Sequence, residues 1–493
     1  MNYLGISAGY HDAAATVIDS RGNILFAGHS ERYSKLKNDS NLSDGLISEL
    51  CPWQYDTIAY YERPWLHNLQ QWYSGQRHDG PWTTRGALKK QLGAWYQQPA
   101  NHEVSYPHHL SHAASGFQTS PFDRATVIVV DAIGEFDTIS IYGAEYDKEG
   151  RAVYKKLWGQ RYPHSIGLFY SAITQRLGLR PLDEEYIVMG MAAYGRDMPA
   201  VLMNMRFIED KHEILFKENL HLGIEKEYLQ SINDYDIAAG AQAVAEDLIY
   251  SVMDRARSFN WSTNLVYQGG VALNCLANRN LGQYFEKIWI MPCPGDAGGS
   301  LGAAALAYGG RINWTDAYLG HNIPGEYPTN ACLDHLLSDR IVGVASGRAE
   351  FGPRALGNRS LLADPRGLDI KDRVNEIKRR QQFRPFAPVI LAEQADAFFD
   401  MPRGWHRSDY MQSVAVCRRP DLYPAIVHHD GTSRVQTVPN NDSGIRQLLE
   451  KWYVLTGCPM LLNTSLNIRG EPMVNNRADA DRFEQLYGVK VCS

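Results

Sequence analysis

The stretch LGISAGYHDAAATVIDSRGNILFAG, residues 4–28, decides the fold because it contains three short β-rich runs separated by turn residues. The runs are Leu4–Ser7, Ala14–Ile18 and Asn23–Gly28, and Ser20-Arg-Gly22 is the signal for a tight hairpin between the last two. Runs of this length joined by short turns pair as antiparallel strands. The sequence therefore predicts a β-β-β unit at the start of the chain.

The same order of elements returns in the middle of the chain without a repeat of the sequence itself. Ala125–Asp131 is a nearly continuous apolar run that ends in a carboxylate, and Thr138–Tyr146 and Ala152–Trp158 follow it. Apolar residues with a spacing of about 3.6 predict helices at Ile166–Leu177, Ala238–Arg257 and Ser300–Tyr308. Two halves that each begin with β-β-β and continue into helices are typical of the two-lobed ATPase fold of actin, Hsp70 and sugar kinases.

The length of 493 residues predicts at least two domains, each with enough apolar residues for its own core. The segment Gly320–Asn330 is rich in Gly, Pro and Asn, which favours a linker. We therefore predict one domain at residues 1–325 and another at residues 335–493. The first would carry the two-lobed fold, with a nucleotide in the cleft between its halves. The second would be a smaller α/β domain.

Composition and charge exclude several classes of protein. The formal net charge of -6 provides no overall field that would draw the chain to nucleic acid or membrane, although a local patch could do so. The seven cysteines are scattered without a CxxC pair, which indicates reduced thiols rather than a disulfide scaffold or a zinc knuckle. No apolar run reaches membrane-spanning length and the N-terminus lacks a basic leader, so we expect a cytoplasmic protein without a membrane partner.

Basic residues in the C-terminal part predict a site for anions. Glu350–Arg359 (EFGPRALGNR) combines two arginines with two glycines shortly after the apolar run Ile341–Ala345. Glycine lets the backbone approach a ligand closely, and guanidinium groups bind phosphate. Further residues of this kind follow, namely Lys378, Arg384, Arg434 and the segment from Asn463 to Ser465. A solvated arginine-rich face is the plainer alternative, but the recurrence favours a phosphate-binding pocket.

A second set of residues predicts a metal site. His108 and His112 have the i,i+4 spacing that places two imidazoles on one helical face, where both reach one metal ion. Asp131 ends its strand, and Asp296 lies where a glycine-rich loop opens a helix. The HxxxH spacing alone also occurs in helices that bind no metal, so the carboxylates strengthen the prediction. A nitrogen and oxygen set without sulfur favours iron, manganese or magnesium over structural zinc.

Two glycine-containing turns are candidates for nucleotide contact. Gly134 lies in an acidic turn that could face phosphates through a metal. Gly269 and Gly270 follow the apolar strand Asn264–Tyr267 and lead through Asn274 into a helix, whose N-terminus favours phosphate. A βα turn that serves packing alone is the alternative for the second of these.

A series of motifs occurs in a fixed order along nearly the whole chain: His11-Asp12, His108–Ala113, Val130–Glu135, Val188–Gly195, Gly269–Asn274, Glu350–Arg359, Phe383–Pro388 and Leu462–Ser465. In this order they resemble the O-carbamoyltransferases of the nodulation and antibiotic-tailoring type. The resemblance implies an N-terminal domain similar to the tRNA threonylcarbamoyl transferase fold. It implies a C-terminal domain similar to the threonylcarbamoyl-adenylate synthase that partners that enzyme. Three positions depart from the family's pattern, namely Ala132, Ile187 and Gln381.

The resemblance implies an ATP-dependent reaction in two steps. In the C-terminal domain carbamoyl phosphate is cleaved to carbamate, which attacks ATP to give carbamoyl adenylate. Lys378 and Arg384 would be catalytic there. In the N-terminal domain an iron(II) or similar divalent ion, held by His108, His112, Asp131 and Asp296, would anchor the adenylate, and His11 would act as base on the acceptor hydroxyl. Residues expected to bind substrate or nucleotide, with Mg for ATP, are Asp12, Gly134, Gly269, Gly270, Asn274, Arg354, Arg434, Asn463 and Ser465.

The chemistry of these steps agrees with the residue types. Carbamate is a poor electrophile, and adenylation gives it a good leaving group. A hydroxyl is a weak nucleophile near neutral pH, so a histidine is suited to take its proton during attack. Without the resemblance, His11 would be interpreted as a histidine of an ordinary turn.

The acceptor is the part that the sequence leaves open. Residues 53–96 carry five of the eleven tryptophans, interleaved with basic side chains; these residues are Trp53, Trp65, Trp72, Trp82, Trp95, Arg63, Arg77, Arg85, Lys89 and Lys90. Aromatic faces beside cations suit stacking on a base or a sugar ring. A sugar or antibiotic hydroxyl fits, and so does the hydroxymethyl group of 5-hydroxymethylcytosine in DNA. Packing of an inserted segment is the alternative interpretation of these aromatics.

Two other functions compete with this prediction. A tRNA enzyme of the threonylcarbamoyl type would use threonine and bicarbonate instead of carbamoyl phosphate. A nucleotide-binding module without catalysis would bind ATP and regulate a partner. A homodimer is compatible with the sequence, which does not fix the oligomeric state.

Overall fold

The structure, a computed structural model, describes residues 1–76, 80–97 and 100–493. Arg77, one of the basic residues grouped with the tryptophans, lies outside the described residues. The chain forms two compact units. The first comprises Met1–Leu273 and Gln283–Asp316, and the second comprises Asn274–Gly282 and Ala317–Ser493.

Two five-stranded sheets form the framework of the first unit. One sheet contains β1 (Asn2–Ser7), β2 (Ala14–Asp19), β3 (Ile24–His29), β4 (Thr57–Tyr60) and β5 (His102–Ser105). The other contains β6 (Arg124–Gly134), β7 (Asp137–Tyr146), β8 (Ala152–Arg161), β11 (Asn264–Gln268) and β12 (Lys287–Trp289), and the short strands β9 (Ile208–Asp210) and β10 (Leu215–Phe216) pair separately.

The two sheets have the same topology. The strand order is β3-β2-β1-β4-β5 in one sheet and β8-β7-β6-β11-β12 in the other. In each, the first three strands are antiparallel, and the last two join the first strand in parallel. The predicted duplicated β-β-β unit and the two-lobed fold of the actin and Hsp70 type are therefore confirmed.

Helices of the first unit connect and cover these sheets. Their bounds are Glu31–Ser34, Asp44–Leu50, Pro64–Tyr73, Thr84–Leu92, His108–Phe117, Ile166–Arg176, Glu185–Met191, Pro199–Phe207, Asp234–Ser258 and Gly298–Tyr308. The helices predicted from apolar spacing are all present, with ends that differ by a few residues. Among the described residues, no helix is long and apolar enough to cross a bilayer.

Glycines bring the helix Gly298–Tyr308 close to its neighbours. A Cβ at Gly302 would lie 1.8 Å from the carbonyl oxygen of Ser111, and a Cβ at Gly5 would lie 1.9 Å from that of Ser300. Because real Cβ atoms cannot approach backbone so closely, these contacts require glycine. The result places the start of this helix beside the helix His108–Phe117 and the end of β1.

The second unit is a smaller α/β unit around a mixed six-stranded sheet. Its order is β21-β17-β22-β16-β14-β23, formed by Gln436–Val438, Ala387–Leu391, Met460–Ser465, Arg359–Ala363, Ile341–Ala345 and Val491–Cys492. The remaining strands are β13 (Tyr318–Ile323) with β15 (Gly347–Glu350), and β18 (Phe399–Asp400), β19 (Ala415–Cys417) and β20 (Thr432–Ser433). Its helices are Cys275–Asn278, Thr329–Ser338, Ile370–Ile377, Ala395–Phe398, Gly444–Thr456 and Arg477–Tyr487.

The predicted linker at Gly320–Asn330 is partly wrong. Tyr318–Ile323 forms β13, which pairs antiparallel with β15, and Thr329 starts a helix. The main segment of the second unit begins at Ala317, before the expected boundary at residue 325. Gly and Pro mark turns, but here β-branched and aromatic neighbours extend the backbone into a strand. The segment Asn274–Gly282 also groups with the second unit, so the two units do not meet at a single point of the chain.

Candidate functional site

Four buried side chains converge in the first unit. His108 and His112 lie on one face of their helix, Asp131 lies near the end of β6, and Asp296 lies in the loop before the helix Gly298–Tyr308. One ligand atom from each lies within 4.8 Å of all the others. The two Nε2 atoms are 3.0 Å apart, and Nε2 of His112 lies 3.2 Å from both Asp296 Oδ1 and Asp131 Oδ2. The sequence-predicted ligand set is thus brought together.

The donor set fits a divalent cation. Ligands at about 2.0–2.2 Å from one ion lie about 3.0–3.5 Å from each other, and the contacts of the two imidazoles with each other and with the two carboxylates are 3.0–3.6 Å. Oδ2 of Asp131 is buried and makes no hydrogen bond to the described residues, although Nε2 of His112 lies 3.2 Å and Nε2 of His108 lies 3.6 Å from it. Two carboxylates balance two positive charges, and the imidazoles add nitrogen ligands. The composition suits iron or manganese better than a sulfur-preferring ion.

The electrostatics of the cluster are dominated by its histidines and aspartates. Burial alone would raise the pKa of Asp296, but the nearby His11 and His108 imidazoles lower it well below its usual range. Burial and the charge of Asp296 would raise the pKa of Asp131, but the adjacent imidazoles of His108 and His112 lower it. Both carboxylates are therefore held in the ionised form that a cation requires.

A further carboxylate, that of Glu62, contacts one of the candidate metal ligands. Oε2 of Glu62 lies 3.5 Å from Nδ1 of His108 and 3.2 Å from Nδ1 of His67. Glu62 is 5% exposed and follows the buried strand β4. Metal-binding histidines commonly donate their second N–H to such a carboxylate, which fixes the ring orientation. The sequence analysis missed Glu62, although its position at a strand end is the same signal that revealed Asp131.

His11 lies beside this cluster. Its Nε2 is 3.4 Å from Oδ2 of Asp296, and its Nδ1 is 3.2 Å from Oδ2 of Asp12. Asp12 has a φ of 52°, so the turn after β1 adopts a left-handed conformation that places this carboxylate against the ring. Burial alone would lower the pKa of His11, but Asp296 and Asp12 raise it to about 9.

The predicted nucleotide glycines lie around the same cluster. A Cβ at Gly134 would come within 2.5 Å of the His108 ring, so this glycine makes room for an imidazole. Gly269 has a φ of +89° and packs on the backbone of Val130. The backbone N of Gly270 donates to Oδ1 of Asp131 at 3.3 Å. Packing around the cluster thus accounts for these glycines by itself, and their contact with nucleotide stays a prediction.

Asn274 has a different role. Its side chain accepts a hydrogen bond from the backbone N of Ala277 at 3.1 Å and caps the helix Cys275–Asn278. This short helix groups with the second unit, whereas Gly269 and Gly270 belong to the first. The glycine turn and Asn274 therefore belong to different units, and nucleotide binding by Asn274 stays a prediction.

A cleft opens next to the four-residue cluster. Its lining includes His11, His108, Asp131 and Asp296, together with three glutamines, His67 and His221. All of these residues belong to the first unit. The cleft gives a second molecule access to the cluster and to His11.

In the second unit, Lys378 and Ser465 are in direct contact. Nζ of Lys378 donates to the carbonyl and, at 3.2 Å, to the hydroxyl oxygen of Ser465, and at 2.9 Å to both oxygens of Asn467. The side chain is buried, and burial together with the charges of Arg380 and Arg384 lowers its pKa well below the usual value. The sequence analysis did not identify Asn467.

Hydrogen bonds of Asn463 join three segments of this unit. Its Nδ2 donates to the carbonyl of Ala355 at 3.0 Å and to Oε1 of Gln436 at 2.7 Å. Ala355 follows the half-buried Arg354, and Gln436 begins β21 shortly after Arg434. Loop 350–359, β21 and β22 are therefore held together at one end of the sheet.

The predicted arginines differ in their surroundings. Nε of Arg434 is buried and has no hydrogen-bond partner among the described residues, as expected for a group that awaits an anion. Arg384 lies in the turn after the helix Ile370–Ile377, where its backbone N donates to the carbonyl of Gln381. Its positive charge acts on Lys378. These positions leave a phosphate-binding role open for both residues.

Arg359 has a structural role that the sequence analysis did not foresee. Its fully buried guanidinium donates to five backbone carbonyls, those of Asn475, Ser346, Asn358, His321 and Gly347, at 2.8–3.1 Å. Glu350 similarly accepts from three backbone amides of the loop that follows it. Of the two arginines in the quoted motif, only Arg354 therefore stays a candidate for phosphate binding.

Comparison with known families agrees with this arrangement of two units. The model described as "Carbamoyltransferase N-terminus" matches residues 83–305, and the one described as "Carbamoyltransferase C-terminus" matches residues 333–491. The chain belongs to the carbamoyltransferase family. The resemblance inferred from the motifs is therefore confirmed.

Relatives of this carbamoyltransferase cover most of its length. An uncharacterized protein of Synechocystis sp. is 31% identical over 97% of the chain and 93% of the relative. The nodulation protein NolNO of Sinorhizobium fredii is 30% identical over 95% of the chain and 76% of the relative. The 3'-hydroxymethylcephem-O-carbamoyltransferase of Amycolatopsis lactamdurans is 30% identical over 67% of the chain and 68% of the relative.

Solved structures align more weakly. Component A of the Acidaminococcus fermentans (R)-2-hydroxyglutaryl-CoA dehydratase covers 62% of the chain and 98% of its own length, with a TM-score of 0.36 and 15% identity. The fold assignment of this carbamoyltransferase accordingly depends on its own sheet topology.

The five tryptophans within residues 53–96 of this carbamoyltransferase fall into two groups. Trp53 and Trp95 pack against the core of the first sheet, whereas Trp65, Trp72 and Trp82 are 50%, 66% and 50% exposed. Three of the four described basic side chains among them have contacts: Arg63 with Glu135, Arg85 with Tyr96 and Glu103, and Lys89 with the Tyr96 ring. Packing explains two of the five tryptophans, and three are exposed at the surface.

The departures from the family's pattern have identifiable surroundings. Ile187 is 1% exposed in the core of the first unit. The carbonyl of Ala132 accepts from Oγ of Ser165 at 2.7 Å, and this serine caps the next helix. Oε1 of Gln381 is buried without a hydrogen bond to the described residues. Ile187 is a core residue, while Ala132 and Gln381 lie close to the two candidate sites.

Proposed function

We propose that this carbamoyltransferase makes carbamoyl adenylate from carbamoyl phosphate and ATP and then transfers the carbamoyl group to an acceptor hydroxyl. Water first hydrolyses carbamoyl phosphate to carbamate and phosphate. A carbamate oxygen attacks the α-phosphorus of ATP, and pyrophosphate leaves. The acceptor oxygen then attacks the carbamoyl carbon, AMP leaves with the bonding electrons, and the hydroxyl proton moves to His11.

The convergence of His108, His112, Asp131 and Asp296 beside His11 is the observation that carries this proposal. These four residues would hold a divalent cation, iron(II) by the family resemblance, which supplies positive charge against the phosphate of the adenylate. Asp12 orients the His11 ring through Nδ1. A cation bound by Asp296 would neutralise the charge that raises the pKa of His11, so the ring would be neutral near pH 7. Nε2 of His11 would then be the atom that accepts the proton of the acceptor hydroxyl.

The second unit would form the adenylate, with Mg accompanying ATP. Lys378, Arg384, Arg354 and Arg434 provide positive charge for phosphates whose bonds form and break. The bond between Lys378 and Ser465 and the buried, unpaired Nε of Arg434 support a common site on this unit. Its similarity to the threonylcarbamoyl-adenylate synthase fold is part of the same proposal.

The acceptor is a hydroxyl compound of one of two classes. A sugar or antibiotic is supported by the relative named for carbamoylation of a 3'-hydroxymethylcephem. The hydroxymethyl group of 5-hydroxymethylcytosine in DNA is the other class, supported by the exposed Trp65, Trp72 and Trp82, because aromatic rings can stack on a base. A cytoplasmic location and a homodimer stay predictions.

A two-stage assay tests the proposal. Purified protein with carbamoyl phosphate and ATP should release pyrophosphate, and release should stop when either compound is omitted. Labelled carbamoyl phosphate is then offered with aminoglycosides, nucleosides and 5-hydroxymethylcytosine DNA. Absence of pyrophosphate release with iron(II) and Mg present would contradict the adenylate step.

The same assay separates the competing functions. Dependence on threonine and bicarbonate, with transfer to tRNA, would indicate the threonylcarbamoyl type. ATP binding without pyrophosphate or phosphate release would indicate a silent module. The membership in the carbamoyltransferase family favours carbamoyl transfer over both.

A further inference from the structure

The helix Pro64–Tyr73, called here the cleft helix, is inverted relative to an ordinary surface helix. Its exposed side carries Trp65, Leu69, Trp72 and Tyr73, while its buried residues include Asn68 and Gln70. Surface helices normally bury the apolar face and expose the polar one. Burying amides instead costs stability unless each finds a hydrogen bond.

Of these two buried amide nitrogens, only that of Asn68 donates hydrogen bonds to the described residues. Nδ2 of Asn68 donates to the carbonyls of Gly80 and Pro81 at 3.2 and 3.0 Å, so it fastens the cleft helix to the following segment. Nε2 of Gln70 is buried, and it makes no hydrogen bond to any part of the chain that the structure describes. Gln70 is 4% exposed and lines the cleft that contains His11.

The cleft helix is held in position relative to the candidate metal site. Glu135, at the turn after β6, accepts from the backbone N of Arg63 at 2.7 Å and from its Nε at 3.0 Å. Arg63 is the residue immediately before the helix. Because Asp131 lies on β6, this ion pair fixes Gln70 and the metal ligands within one framework.

The part of the cleft lined by Gln70 and its neighbouring glutamines, called here the Gln70 wall, carries amide side chains. Gln71 and Gln76 also line it, and Nε2 of Gln76 lies 3.2 Å from Nε2 of His221, whose pKa is lowered by burial. No lysine or arginine lines the cleft within the described part of the chain, whereas four carboxylates do, those of Glu62, Asp131, Glu135 and Asp296. An anionic acceptor would therefore meet like charge in the cleft, whereas a neutral ring would find amide donors.

We propose that the Gln70 wall is the acceptor subsite and takes an uncharged, hydroxyl-bearing ring whose oxygen or nitrogen lone pair accepts a hydrogen bond from Gln70 Nε2. This inference rests on the proposed function. It makes Gln70 a specificity residue that meets the acceptor rather than the nucleotide. The buried donor without a protein partner is satisfied when the acceptor is bound.

Replacing each buried amide by leucine tests the proposal first by stability. Gln70→Leu removes a donor that has no protein partner, so the thermal midpoint should stay equal to that of the wild type or rise. Asn68→Leu removes a satisfied amide and should lower the midpoint by several degrees. A fall in Gln70→Leu as large as that in Asn68→Leu would make Gln70 a structural residue and overturn the proposal.

Transfer kinetics test the same residue by function. Gln70→Leu should raise the acceptor KM about tenfold with little change in kcat, the effect of losing one hydrogen bond to bound substrate. The probes are 5-hydroxymethyl-2'-deoxycytidine, glucose and, as an anionic comparison, glucose 6-phosphate. An unchanged KM for every carbamoylated probe, or preference for the anionic sugar, would overturn the proposal.

Wild-type pyrophosphate release is measured in parallel. If the wild type releases none, the adenylate proposal fails. The thermal midpoints of Gln70→Leu and Asn68→Leu still show whether the Gln70 amide stabilises the folded protein. If release is normal but Gln70→Leu melts like Asn68→Leu, the acceptor subsite alone fails.

Discussion

The carboxylate of Asp296 contacts His11 with one oxygen and the candidate metal ligands with the other. Oδ2 lies 3.4 Å from Nε2 of His11, and Oδ1 lies 3.2 and 3.3 Å from Nε2 of His112 and His108. A single side chain thus connects the proposed base to the proposed metal centre. Removing His11 should leave this centre intact, whereas removing Asp296 should affect both.

We predict that His11→Asn and Asp296→Asn differ in metal content. His11→Asn keeps all four ligands, so it should retain iron(II) and pyrophosphate release while carbamoyl transfer falls about 100-fold or more. Asp296→Asn replaces an anionic ligand by a neutral amide and should lose most of the metal. Metal analysis after dialysis, together with transfer rates, makes the comparison. Equal transfer by His11→Asn and wild type would refute the base assignment.

Glu62→Gln should weaken metal binding without removing a ligand. The amide can no longer hold His108 as a charged carboxylate does, and loss of such a partner typically lowers metal affinity about 10–100-fold. Titration of the apo-protein with iron(II) or manganese(II) against a chelator measures the change. Glu184→Gln, a buried carboxylate that accepts from the backbone of Arg180 and does not line the cleft, is a suitable control. Identical affinities for Glu62→Gln and wild type would make Glu62 a packing residue.

The sequence reveals the fold through the order of its strands. The triplets that begin at Leu4 and Ala125 predict two similar halves, and both sheets follow one topology. The prediction of a linker at Gly320–Asn330 is partly wrong, because turn residues indicate where a chain bends but not whether the residues between the turns form a strand. Strand pairing of Tyr318–Ile323 depends on a distant partner, Gly347–Glu350, which local composition does not reveal.

The candidate site is predictable where residue spacing has a direct geometric meaning. His108 and His112 share a helical face at any i,i+4 spacing, and Asp131 ends a strand, so their proximity follows from local structure. Glu62 follows a strand, as Asp131 does in the sequence, and could be found by the same signal. Gln70 reaches the cleft only through tertiary packing. Arg359 resembles a ligand-binding arginine in the sequence, because charge alone cannot distinguish a phosphate partner from five backbone carbonyls.

Lys378→Met should abolish adenylate formation. The side chain supplies the buried ammonium that joins residues 465–467, and its charge is proposed to meet the phosphates. We expect pyrophosphate release to fall about 100-fold or more. Lys451→Met, at an exposed lysine that donates to Asn330, should release pyrophosphate like the wild type. Retained release in Lys378→Met would reject the assigned site.

Arg359→Met should destabilise the second unit rather than weaken ligand binding. Five carbonyls lose their donor, and breaking such a buried set of contacts lowers the free energy of unfolding by about 3–5 kcal/mol. A lower thermal midpoint and a lower yield of folded protein are expected. Arg354→Met should melt like the wild type but bind ATP or carbamoyl phosphate more weakly. Normal stability in Arg359→Met would contradict the structural role.

His29 should make the first unit sensitive to acid. Burial and then the charge of Arg32 lower its pKa from 6.5 to about 3, with Asp12 opposing and Cys293 in contact at 3.9 Å. As the pH falls below 6.5, the unfolded chain binds a proton that the folded protein cannot bind until about pH 3. The neutral His29 therefore contributes fully to the free energy of unfolding above pH 6.5. This contribution falls by about 1 kcal/mol per pH unit as the pH drops from 6.5 towards 3.

The His29→Gln variant isolates this effect, because glutamine does not titrate. The thermal midpoint of the wild type relative to that of the variant should fall by about 1–2 °C per pH unit between pH 6 and pH 4. Carboxylates elsewhere contribute equally to both proteins and cancel in the difference. A constant difference between the two midpoints across this range would show that His29 accepts its proton in the folded state as readily as in the unfolded chain.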